Sequence, residues 1–148
     1  MLPGCNFGRY SPRMPFRPFN DLVDDAKRTI QETDCDELAE LLDPANDAPD
    51  LLVIDIREAD ERARGHIPGS LGLPRGILDR DIAKVAFGGT VTEDQLTRPI
   101  VLYCAGGSRS ALAAVSLRAM GFTNVQSLAG GFGAWGKSGR PVEHPRSH

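Results

Sequence analysis

Two short runs of nearly unbroken apolar residues, Leu51–Ile56 (LLVIDI) and Ile100–Tyr103 (IVLY), constrain this chain more than any other feature. A strand that is apolar at almost every position leaves no face for water. It belongs in a sheet covered on both sides, and such sheets are parallel. Val125–Leu128 is a third candidate strand, and Thr29–Thr33 and Ser70–Leu73 are short enough to be edges. Helical patterns lie between these segments, so the chain reads as an α/β fold with a mainly parallel sheet.

Asn20 is placed to cap a first helix over Asp21–Arg28, with Leu22, Val23, Ala26 and Ile30 as its apolar stripe. Asp34 followed by Glu37 reads as a capping box opening a helix through Leu42, with Leu38, Leu41 and Leu42 buried. After the Asp43–Asp50 loop and the first apolar run, Glu58–Arg64 is a short charged helix stopped by Gly65. His66–Gly69 is a rigid turn, Ile77–Ala86 has helical spacing, and Thr92 with Gln95 caps one more turn. Ser110–Met120 is an alanine-rich helix with apolar Leu112, Val115 and Leu117. Gly130-Gly131 then turns the chain into a short aromatic segment, Phe132–Trp135.

With 148 residues, 41% hydrophobic and 25% charged, there is material for one globular domain with a real core. We place it at residues 20–143, with a Pro/Arg/aromatic arm over 1–19 and a polar tail over 144–148. The arm could cover the functional loop or bridge a homodimer. A net charge of −3 without a basic face argues against nucleic acid as a partner. No stretch reaches membrane-spanning length or has the form of a secretory signal, so no membrane partner is expected. The three cysteines, Cys5, Cys35 and Cys104, are too few for a disulfide framework and have no metal-ligand spacing. A reducing, cytoplasmic setting fits them, with no metal site.

The chemistry concentrates where the second apolar run ends: Cys104, then Ala105, Gly106, Gly107, Ser108, Arg109 and Ser110. A cysteine at a strand end is by default a small buried hydrophobe. The Gly-Gly-Ser-Arg-Ser continuation is not something such a residue needs. Glycines allow a tight cradle of inward N–H groups, the following helix adds its positive end, and Arg109 can add a full charge if it folds back. Ser110 can cap the helix. Together these favour a thiolate, the nucleophilic form of cysteine. The cradle would also hold an anionic substrate or a persulfide. Cys5 and Cys35 have no such context, although Cys5 could resolve an oxidised or persulfidated Cys104.

The order and spacing of LLVIDIRE (51–58), GHIPGS (65–70), IVLYCAGGSRS (100–110) and LAGGFGAW (128–135) resemble the rhodanese-like sulfurtransferase family across residues 29–143. The resemblance implies a three-layer fold, with a five-stranded sheet flanked by helices on both faces. It implies a persulfide carried on Cys104, with Ala105–Ser110 as the substrate loop and no cofactor. A sulfane-sulfur donor such as thiosulfate and an acceptor such as cyanide, a small thiol or a protein thiol would be the partners. Related phosphatases and arsenate reductases use a loop one residue longer than the six of Cys104–Arg109. The alternative reading is a sulfur-sensing or protein-binding module on the same fold, ahead of phosphatase or arsenate reductase activity, which the short loop disfavours. By the same resemblance, Asp55 lies near the loop and accepts its hydrogen bonds. Arg57 is a second supporting residue, pairing with an Asp or Glu of the next helix or walling the entrance. His66 is expected to pack or hydrogen-bond rather than catalyse.

Overall fold

The computed structural model describes residues 15–48 and 50–145. Its elements are α1 (Phe19–Thr29), β1 (Gln31–Thr33), α2 (Cys35–Leu42), β2 (Leu52–Asp55), α3 (Ala59–Ala63) and β3 (Leu71–Gly72). They continue as α4 (Arg75–Phe87), β4 (Ile100–Tyr103), α5 (Ser108–Ala119), β5 (Val125–Leu128) and α6 (Gly131–Lys137), with a 3-10 helix, Glu93–Thr97, before β4. The five strands form one sheet in the order β1-β5-β4-β2-β3. Every pairing is parallel, which turns the expected mainly parallel sheet into a wholly parallel one.

The apolar runs occupy the middle of that sheet. Ile54 pairs in register with Leu102 and Val53 with Val101. Because side chains alternate along a strand, Ile54, Ile100 and Leu102 face a core closed by α4 and α5 through Leu78, Ile82, Ala113, Ala114 and Leu117. Val53, Val101 and Tyr103 face the opposite core, closed by Leu38 of α2 and Trp135 of α6. Both faces are therefore covered, which is why these strands tolerate no polar alternation. The alanines of α5 serve two neighbours: Ala113 and Ala114 lie against the sheet, while Ala111 meets Val23 and Ala26 of α1. Small side chains on both sides let this helix sit between sheet and α1.

Several local expectations change. Asn20 lies inside α1, which begins one residue earlier; Pro18 takes the cap position with no side-chain bond, since proline's fixed φ suits a helix start. Asp34 does accept the Glu37 N–H at 2.8 Å, but the Glu37 carboxylate takes the Thr33 hydroxyl instead of closing a box. A reciprocal box forms instead at Glu58 with Glu61, and the expected cap at Thr92 with Gln95 is present as such a box. Leu22, Leu41 and Val115 are exposed although periodicity placed them inward. In α5 the alanines took the buried face that Val115 was expected to share.

Residues 15–18 of the expected arm lie outside helix or strand, and Phe19 belongs to α1. The remainder of the arm, with Cys5, and residues 146–148 of the expected tail lie outside the described residues. Behind α6 the chain docks on the domain: His66 and Glu143 form an isolated antiparallel bridge, and the Trp135 indole N–H donates to the Pro141 carbonyl at 2.8 Å. No helix among the described residues is long and apolar enough to cross a membrane.

Candidate active site

Cys104 directly follows β4, and the strand's alternation carries its side chain onto the α5 face of the sheet. The sulfur then lies beneath the start of α5. That helix opens at Gly107, a left-handed residue (φ +96°) with no side chain to offer as a cap. The first N–H groups of a helix lack intrahelical partners. Here the sulfur takes the place of a cap: Cys104 Sγ accepts the N–H of Gly107 at 3.1 Å and of Ser110 at 3.4 Å. Ser110 was expected to cap this helix. Its hydroxyl instead lies 3.4 Å from Sγ and 2.7 Å from the Ser127 hydroxyl of β5.

Burial is the largest influence on Cys104 and by itself would raise its pKa. The Ser110 hydroxyl and the N–H groups of Ser110, Gly107 and Gly106 outweigh it, so the thiol is more acidic than an ordinary cysteine. The residue is 1% exposed; Ala105 and Gly106 are the exposed members of its loop, and Ser108 and Arg109 are half-buried.

Arg109 does not fold back onto the sulfur. Its guanidinium grips the Glu61 carboxylate of α3 through two bonds of 2.8 and 2.9 Å. Glu61 is already fixed by its role in the α3 capping box, and the planar fork of arginine matches it bidentately. The Arg109 bonds are the main reason the Glu61 carboxyl is held down to about 2. Beside this pair a cleft of about 410 Å³ is lined by Ile56, Glu58, Arg75, Asp79, Ala113 and Ser116, and Cys104 does not reach it.

Asp55 and Arg57 support the site from behind. Asp55 accepts nothing from the Cys104 loop. Its carboxylate takes Arg57 Nε at 2.9 Å, Arg57 NH2 at 2.8 Å and Arg62 NH1 at 3.1 Å, and the bonds from Arg57 hold it low despite complete burial. A carboxylate fully removed from water needs cations, and two arginines surround Asp55 in place of the loop amides. Arg57 takes this strand carboxylate rather than an acid of the next helix, and it walls no entrance. It is buried, donates to the Gly65 carbonyl at 2.7 Å and lies 4.2 Å from the centre of the Phe132 ring. His66 is buried in the turn that Arg57 braces, held by its backbone bridge, as a packing residue would be.

Residues that sequence reasoning passed over hold the loop's outer side. Phe132 N–H donates to the Cys104 carbonyl at 2.8 Å and Gly133 N–H to the Ala105 carbonyl at 2.9 Å. With those carbonyls turned toward α6, the loop's amides are left for the sulfur. Gly131 (φ +56°) allows this approach: a Cβ there would lie 2.5 Å from the Cys104 carbonyl oxygen. The glycine pair was legible as a turn, but its contact with the loop depends on β4 and β5 being neighbours in the sheet.

A wholly parallel α/β sheet carries a buried thiol at the end of its central strand, beneath the start of a helix. The chain belongs to the Rhodanese-like domain family, whose model matches residues 34–138. It is 32% identical over 116 residues to a sulfurtransferase of Allochromatium vinosum, covering 78% of this chain and 97% of that one. It is 36% identical over 89 residues to the thiosulfate sulfurtransferase GlpE of Pseudoalteromonas translucida, covering 60% and 76%. Among solved structures, a Rhodopseudomonas palustris protein described as of unknown function and "Possible Tyrosine Phosphatase" superposes with a TM-score of 0.73 at 34% identity. That likeness covers 90% of this chain and 99% of the other.

Proposed function

We propose that this protein is a sulfurtransferase that carries a sulfane sulfur as a persulfide on Cys104. The observation that carries the reading is the sulfur's place as acceptor for the unpaired N–H groups of α5, inside a loop of six residues from Cys104 to Arg109. The Cys104 thiolate attacks the outer sulfur of a donor such as thiosulfate. A new S–S bond forms as the donor's S–S bond breaks, and sulfite leaves with the electron pair. The outer sulfur then passes to cyanide, a small thiol or a protein thiol, regenerating the thiolate in a ping-pong cycle. The amides of Gly106, Gly107 and Ser110 stabilise the anionic sulfur before and after loading. Because Glu61 matches the charge of Arg109, attraction of an anionic donor falls to these amides rather than to a free guanidinium.

The description of the Rhodopseudomonas palustris neighbour favours a second reading, phosphate-ester hydrolysis. Holding a phosphate tetrahedron calls for a longer loop than Cys104–Arg109. A sulfur-sensing or protein-binding module is a third. One experiment separates them. After incubation with thiosulfate, intact mass should show one added sulfur in the wild type and none in Cys104→Ser, and cyanide or a thiol should remove it. Failure to load from any sulfane donor, with binding to a protein partner retained, would select the module. Turnover of a phosphate ester without loading would select the phosphatase.

A further inference from the structure

Ser127 sits on β5, one strand away from Cys104, with its hydroxyl fully buried. Its one hydrogen-bond partner among the described residues is the Ser110 hydroxyl at 2.7 Å. Ser110, also fully buried, stands between Ser127 and Cys104 Sγ, 3.4 Å from the sulfur. Three polar atoms are thus joined by two contacts in a closed line. When the sulfur is ionised, two hydroxyl protons serve the two contacts: Ser127 donates to Ser110, and Ser110 donates to sulfur. When the sulfur carries a proton, three protons compete for the same two contacts, and one must leave the line for another acceptor.

A serine in the first turn of a helix has another outlet for its proton, the carbonyl one turn back. In Ser110 the hydroxyl is turned toward β5, where Ser127 can fill its lone pair and leave its proton for the sulfur. Donation into Ser110 also polarises the outgoing Ser110 O–H bond and strengthens it toward an anion.

We propose that Ser127 is a positioning residue that acts through Ser110, orienting the Ser110 hydroxyl to donate to the Cys104 sulfur. This rests on the reading of Cys104 as the working nucleophile and adds a strand residue to its support. Ser127 touches neither donor nor acceptor.

The test reads thiolate formation directly. The rate of iodoacetamide alkylation of the Cys104-containing peptide is followed by mass spectrometry from pH 5 to 10 in wild type, Ser127→Ala, Ser110→Ala and the double variant. Ser127→Ala should move the midpoint upward and slow alkylation on the acid limb about two- to threefold, the size expected for weakening one charge-assisted hydrogen bond. Ser110→Ala should move it further, and the double variant should match Ser110→Ala alone. An unchanged profile in Ser127→Ala overturns the proposal. So does an equal shift from Ser127→Ala with and without Ser110, because that would place its influence outside the Ser110 hydroxyl. Persulfide loading from thiosulfate is a separate measurement. Its failure would count against the sulfurtransferase reading while leaving the alkylation result to decide the role of Ser127.

Discussion

At Gly131 a single methyl group would collide with backbone on two residues, 2.5 Å from the Cys104 carbonyl oxygen and 2.7 Å from the Ala105 carbonyl carbon. Real side chains do not approach that closely, and no flexible atom is available to yield. The positive φ adds strain that only glycine escapes. Gly131→Ala should therefore push the Cys104 loop off α6 and rotate its amides away from the sulfur. We expect a stability loss of about 1–3 kcal/mol by urea unfolding, as for other forced overpacking. Persulfide loading should fall at least tenfold, about the loss of one strong hydrogen bond to an anion. Gly133→Ala is the graded comparison, because its Cβ would meet the Ala105 oxygen at 3.2 Å and a small shift relieves the contact. Equal loading by Gly131→Ala and wild type would show that the loop does not depend on this approach.

Between elements, the strongest ties are polar and buried. Arg57 joins β2 to the turn at Gly65 and to Phe132 of α6, while Arg62 of α3 bonds Asp55 and the Ser70 carbonyl. Tyr103 completes the frame by accepting the Ile67 N–H at 3.1 Å and meeting the Ser70 hydroxyl at 2.9 Å. Removing Arg57 leaves the fully buried Asp55 carboxylate with Arg62 as its one remaining cation. Arg57→Ala should cost about 3–5 kcal/mol in chemical denaturation, the range for breaking a buried ion pair. A loss under about 1 kcal/mol, as for an exposed pair, would mean that Arg62 alone suffices for Asp55. The central strands, the order of helices and the Cys104 loop were legible in the sequence because each is announced by local signals: apolar runs, caps and glycines. The Asp55–Arg57–Arg62 cluster was not, since nothing local says which of several charges will meet inside. Ser127 was unreadable for the same reason. Its partner lies 17 positions away and faces it only because β5 adjoins β4. The pairing of Arg109 with Glu61 depends on where α3 lies, which the local Cys–Arg motif does not reveal.

For the molecule as a whole, these buried charges set the response to acid. Burial chiefly keeps His66 neutral, with its pKa below the usual histidine value. Asp55 is held low by Arg57 against its burial, and Glu61 is held at about 2 by Arg109. In each case the unfolded chain binds protons more readily than the folded one, so stability falls as pH falls. The decline should begin with His66 below about pH 6.5 and steepen below about pH 4.3, the range in which unfolded histidines and carboxylates titrate. The Glu61 contribution is complete above that lower value and disappears as pH falls to about 2. Thermal unfolding of wild type and Glu61→Gln across this range checks the sign: the variant should be less stable at neutral pH and lose less on acidification. An identical acid limb in the two proteins would show that the Arg109 pair contributes no net stability. The docked segment behind α6 has a further consequence. Trp135 is the only tryptophan in the chain; it is 3% exposed, and its indole N–H is held by the Pro141 carbonyl. Its emission is thus a built-in optical gauge of that docking. Release of the segment should move the fluorescence maximum to longer wavelength before the sheet itself melts, separating detachment of the Pro141 segment from unfolding of the sheet without any added label.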